Sequence, residues 1–187
     1  KNINTKTKLL ILNSPSNPTG AVYTKEELES IAEVAVDKGI WIISDEIYDK
    51  LLYDGLKYTS VASLGAGVKA KTLVVNGVSK AYAMTGWRIG YCAGPAEVIK
   101  AMEIIQSQST SNPCSISQIA TMAALTGSQD CIRPMLAAFK ERREFVVSRL
   151  NAMEGIECLV PDGTFYAYPS VAGLLNKKTP DGAIIYS

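Results

Sequence analysis

Lys80 is the residue with the most chemistry to offer. It follows an apolar run, residues 72–76, and its neighbours Gly77, Ser79 and Ala81 are small enough to leave room beside the side chain. Most lysines are solvated surface charges. One that is partly desolvated has a lowered pKa and becomes a nucleophile able to form a Schiff base. Arg88, a little further along, carries a planar fork suited to a phosphate. Asp45 closes a second apolar run that starts at Ile40. A carboxylate half-buried there wants a cationic partner, or else caps a following helix. A third run, residues 8–13, leads into Asn13-Ser14-Pro15-Ser16-Asn17-Pro18-Thr19-Gly20, whose prolines and glycine mark a rigid, turned loop.

The sequence contains no histidine. That removes a Ser-His-Asp triad, a Cys-His pair and every histidine-based zinc site. Chemistry therefore falls to Lys, Tyr, Asp, Glu, Cys or a cofactor. Cys92, Cys114, Cys131 and Cys158 stand far apart with no C-x-x-C pair, which argues against a metal centre and a disulfide framework. They are expected to be buried structural thiols.

The elements that must position these groups follow from periodicity. Strands are expected at residues 8–13, 40–45, 72–76 and 88–93. The first three are nearly continuous apolar runs, as in strands buried on both faces of a parallel sheet. Between the first two lies a helix, with Thr24 as N-cap, Glu27 three residues on and a Leu28, Ile31, Ala32, Ala35 stripe. Gly39 is its natural terminator. Strand, helix and strand make a βαβ unit. After Pro95 helices are expected around Val98–Ile105, over residues 116–125 and over residues 130–153. Two short strands, 156–160 and 164–168, flank a Pro-Asp-Gly turn. The reading is α/β, a mainly parallel sheet with flanking helices, over residues 1–150. A smaller α+β domain is expected to begin at residues 151–187.

The 187 residues are 47% hydrophobic and 20% charged, enough for a real core. A net charge of +1 gives no electrostatic case for nucleic acid or an anionic membrane. No apolar run nears the ~20 residues of a spanning helix, and no signal-peptide core follows the basic start. A soluble, cytoplasmic protein is expected. The chain begins at Lys1 and its last residues read as the entry to another element, so a fragment of a longer protein is expected. A nucleotide-binding reading of Gly65-Ala66-Gly67-Val68-Lys69-Ala70 fails, because that motif must close a strand and here it precedes one.

Three motifs now stand in order: S-N-P-T-G at residues 16–20, D-E-I-Y at 45–48 and N-G-V-S-K-A-Y-A-M-T-G-W-R-I-G-Y at 76–91. Together they resemble the class I aminotransferases, pyridoxal-phosphate (PLP) enzymes of fold type I, and most of all the bacterial aspartate-aminotransferase-like subgroup. The similarity covers the whole chain, matching the middle and later parts of a longer family member. The resemblance implies that Lys80 forms the Schiff base with PLP and then shuttles a proton. It implies that Asp45 pairs with the pyridinium nitrogen, that Tyr48 and Asn17 hydrogen-bond the ring oxygen, and that Arg88 clamps the phosphate. Asn17 would also lie near the substrate carboxylate, and Ser79 would lend a hydroxyl to the phosphate. Many relatives have a serine three residues before the lysine, where this chain has Gly77.

The same resemblance implies an antiparallel fourth strand, a cis Asn17–Pro18 bond and a homodimer, with residues 109–113 near its interface. Substrates would be an L-amino acid, aspartate or a broad set, and a 2-oxo acid such as 2-oxoglutarate. The family's upstream phosphate loop, ring-stacking aromatic and carboxylate-binding arginine have no counterpart in this sequence, so the isolated chain is expected to be inactive. Other reactions on this fold stay open, among them a C–S lyase and a cyclopropane-forming synthase, as does a non-catalytic PLP-sensing module.

Overall fold

A computed structural model describes residues 3–186. The elements follow the chain as β1 (Leu9–Asn13), α1 (Lys25–Asp37), β2 (Trp41–Asp45), α2 (Ala66–Lys69), β3 (Thr72–Gly77) and β4 (Gly90–Ala93), then α3 (Ala96–Ser109), α4 (Ser115–Thr126) and α5 (Ile132–Asn151). The sheet order is β1-β2-β3-β4. The first three strands are parallel neighbours and β4 runs antiparallel to β3, as expected.

Local chemistry explains why α1 forms where it does. Thr24 Oγ1 accepts the Glu27 N–H at 3.2 Å, and Glu27 Oε2 accepts the Thr24 N–H at 2.8 Å. This reciprocal capping box satisfies two donors that the first turn would otherwise leave free. Gly39, at φ +67°, takes the left-handed conformation that ends the helix. Leu28, Ala32 and Ala35 of α1 then pack on Leu12, Ile40, Ile42 and Val61 to make the core.

That core lies on one side of the sheet. Leu9 is 43% and Ile11 68% exposed, which corrects the expectation of strands covered on both faces. Side chains alternate across a strand, so Leu10 and Leu12 face α1 while Leu9 and Ile11 point to the opposite side. Among the described residues α3 and α4 also carry apolar side chains at the surface, including Ile105, Ile116 and Ile119. The four cysteines are free, but only Cys158 is buried; Cys114 and Cys131 are exposed at the N-caps of α4 and α5. No described helix is long and apolar enough to cross a membrane.

The expected hairpin after α5 is absent. Residues 156–160 and 164–168 form no ladder with each other; this stretch holds instead two isolated bridges, Glu157 with Ser170 and Gly163 with Leu52. The backbone of residues 162–164 is already committed elsewhere. Asp162 and Gly163 donate to Gly20 O at 3.0 and 2.9 Å, and Thr164 donates to Leu51 O at 2.8 Å. Thr164 also takes φ +65°, which breaks the extended backbone that a strand needs.

Gly20 is indispensable to this docking. It sits at φ +71°, and a Cβ there would lie 2.3 Å from Pro161 Cβ. From the far side α5 clamps the same segment: Arg143 Nη1 donates to Pro161 O at 3.0 Å and Nη2 to Asp54 Oδ2 at 2.7 Å. The neighbouring Lys140 and Arg143 cations hold the Asp54 carboxyl below its usual range.

Candidate functional site

The register brings the carboxyl ends of three parallel strands level. Asn13 stands beside Asp45, and Asp45 beside Val75. Ligands of open α/β sheets bind at such ends. Asp45 is fixed from both directions. Its carbonyl accepts from Ser14 N–H at 3.3 Å and Asn13 Nδ2 at 3.4 Å, and its Oδ1 accepts from Ile47 N–H at 3.2 Å.

Glu46, the next residue, turns inward and is 4% exposed. Ser44 and Ser60 donate to its Oε1 at 2.9 and 2.8 Å. Burial nevertheless pushes the Glu46 carboxyl above its usual range. Its role here is to hold the turn between Asp45 and Tyr48 against the residue 58–60 loop.

The turn carrying Lys80 is pinned on either side. Val78 is fully buried and Ala81 almost so. Ala83 N–H donates to Lys80 O at 3.2 Å, and Thr85 Oγ1 to Ser79 O at 3.1 Å. Lys80 Nζ lies 5.7 Å from the Tyr48 ring centroid and 5.6 Å from that of Phe165. Those two rings meet edge to face at 5.6 Å and 82°. Lys80 is thus a partly buried residue whose amine lies within cation–π range of both rings of an aromatic corner.

Arg88 adopts the left-handed conformation, φ +56°, and its Nη1 donates to Thr85 O at 3.0 Å. The strand expected to start at Arg88 therefore starts at Gly90. No acidic side chain pairs with Arg88 among the described residues. Asp45, Ser79 and Arg88 line one open cleft of about 330 Å³, together with Asn76. Gly77 forms part of its floor strand. A Cβ there would lie 3.0 Å from Ile89 O and 3.2 Å from Gly90 Cα, so a serine would fit only with a shift of β4.

The geometry therefore gathers the residues singled out from sequence into two adjoining groups. Asp45, Ser79 and Arg88 share the cleft, and Lys80 meets Tyr48 at the aromatic corner. Asn17 joins neither group. It is exposed, on the N-terminal side of the cis Asn17–Pro18 bond, and its N–H donates to Asn13 Oδ1 at 2.7 Å. Ser14–Pro15 is cis as well, which the sequence reading did not include.

Sequence reasoning also missed Phe165 and Tyr166. Tyr48 is buried, and its hydroxyl lies 2.5 Å from that of Tyr166. Burial is the main cause that pushes the Tyr48 phenol far above its ordinary range. The two aromatics sit in the 164–168 run read as a strand, where such residues commonly signal packing alone. Only the tertiary fold brings Phe165 to Lys80 and Tyr166 to Tyr48.

A family model described as aminotransferase class I and II matches residues 1–180. The aspartate aminotransferase of Rhizobium meliloti strain 1021 is 49% identical over 96% of this chain and 44% of its own length. The aspartate/prephenate aminotransferase of Cereibacter sphaeroides is 50% identical over 98% of this chain and 46% of its own. Among solved structures, an aspartate aminotransferase from Rhizobium meliloti superposes with a TM-score of 0.96 at 48% identity, over 99% of this chain and 46% of that one. One from Thermus thermophilus with maleate gives 0.80 at 46% identity, over 89% and 43%. The chain thus spans a little under half the length of the relatives it matches.

Proposed function

Since this chain belongs to the class I and II aminotransferase family, we propose that the full-length protein is a PLP-dependent transaminase. It would move an amino group from an L-amino acid, aspartate first among them, to a 2-oxo acid such as 2-oxoglutarate. One observation carries the reading: an acid, a hydroxyl and an arginine line a single cleft, beside a lysine seated on an aromatic corner. This donor set fits the cofactor. An anionic phosphate suits Arg88 with the Ser79 hydroxyl, a protonated ring nitrogen suits Asp45, and an aldehyde suits an amine.

PLP supplies an electron sink that lets a proton leave the α-carbon of a bound amino acid. The chain's own residues do the rest. Lys80 Nζ would hold the cofactor and would serve as the base that carries the proton. Asp45 would keep a proton on the ring nitrogen. Tyr48 would donate its O–H to the ring oxygen, Asn17 would serve the ring oxygen and the substrate carboxylate, and Arg88 would hold the phosphate. A homodimer in the cytoplasm, and a second domain starting near residue 151, belong to the same proposal. The names of the relatives support aspartate, and for the Cereibacter protein prephenate as well.

The experiment is an amino-donor panel with 2-oxoglutarate. Glutamate should form, fastest with aspartate. Release of a thiol or a cyclopropane product without glutamate would instead identify another chemistry on this fold, and no turnover with PLP bound would favour a sensing role.

A further inference from the structure

Tyr166 reaches the site from far along the chain, and its placement is over-determined. Its N–H donates to Thr164 Oγ1 at 3.2 Å. Thr164 is fully buried, its own N–H donates to Leu51 O at 2.8 Å, and its carbonyl accepts the Tyr53 hydroxyl. Leu51 is itself fully buried, three residues beyond Tyr48. Both tyrosines are therefore built on one rigid junction, and the Tyr166 ring meets the Tyr48 ring at 5.7 Å and 79°.

From this junction we propose that Tyr166 is a positioning residue: its hydroxyl donates to the Tyr48 oxygen and thereby commits the Tyr48 proton to the group held by Lys80. The inference rests on the role given to Tyr48 above. A phenol has one proton and can accept as well as donate. With the two oxygens 2.5 Å apart, one of the pair must donate to the other. If Tyr48 donated to Tyr166, it would have no proton left for a ring oxygen. If Tyr166 donates, Tyr48 keeps its proton and becomes a stronger donor, because hydrogen bonds in a chain polarise one another.

The charged groups that face Tyr48 are Asp45, at the end of β2, and Lys80, across its ring. Burial keeps the Tyr48 phenol un-ionised through the ordinary pH range, so it remains a donor. A stronger donor at the ring oxygen stabilises the oxyanion there and makes the neighbouring nitrogen less basic. Tyr166 would accordingly tune the protonation of the bound cofactor without touching it.

The test is a spectrophotometric pH titration of the cofactor's visible band in the full-length holoprotein. Tyr48→Phe is the control and should raise the midpoint. Tyr166→Phe should raise it by about half a pH unit, a fraction of the control's rise, since cooperativity is only part of a bond's worth. Replacing Tyr166 by 3-fluorotyrosine, a more acidic phenol and better donor, should lower the midpoint. Opposite signs from these near-isosteric changes cannot come from packing. If Tyr48→Phe moves the midpoint while both changes at 166 leave it in place, the inference fails and the reading of Tyr48 stands. If Tyr48→Phe itself leaves the midpoint in place, the reading of Tyr48 fails, and the inference with it.

Discussion

Lys80→Ala in the full-length protein should lower turnover by about 10⁴-fold or more while leaving the fold intact. A positioned general base contributes up to roughly 10⁴, and this change also removes the covalent anchor. The fold should survive because the turn is held by Val78, Ala81 and backbone hydrogen bonds rather than by the lysine side chain. Steady-state turnover beside a circular-dichroism melt checks both halves. Activity within tenfold of wild type would remove Lys80 from the chemistry.

The second large effect is at Asp45. Asp45→Ala should reduce kcat on the order of a hundredfold or more, with a much smaller change in KM. A charge-assisted hydrogen bond is worth about 1.5–3 kcal/mol, and every 1.36 kcal/mol is tenfold in rate. The loss should fall on kcat because a proton held on the ring nitrogen matters most when charge flows into the ring. Among the described residues the carboxylate's one hydrogen bond is from Ile47 N–H, so its removal disturbs little else. A raised KM at unchanged kcat would mean that Asp45 binds substrate instead.

Much of this architecture was legible in the sequence because its causes are local. Thr24, Glu27 and Gly39 announce the ends of α1 by their own hydrogen-bonding chemistry. Residues 40–45 and 72–76 are apolar because they are interior strands, and the polar residues that close them mark the sheet's carboxyl edge. What was not legible depends on distant partners. Leu9 and Ile11 read as buried because composition does not say which face a helix will cover. Residues 164–168 read as a strand because alternation cannot show that Gly20, Leu51 and Tyr53 have already claimed the backbone of residues 162–164. Tyr166, read only as part of that strand, gained a role when the fold set it against Tyr48. The fourth strand's direction and the cis bond at Pro18 came from the resemblance to a family, since periodicity holds no such information.

The central claim is that Lys80 anchors the cofactor, and reductive trapping tests it most directly. The full-length protein is loaded with PLP, treated with borohydride and digested, and the labelled peptide is sequenced. The label should fall on Lys80, within the segment Val78-Ser79-Lys80-Ala81-Tyr82. A label on Lys69 or Lys100 with Lys80 unmodified would contradict the account.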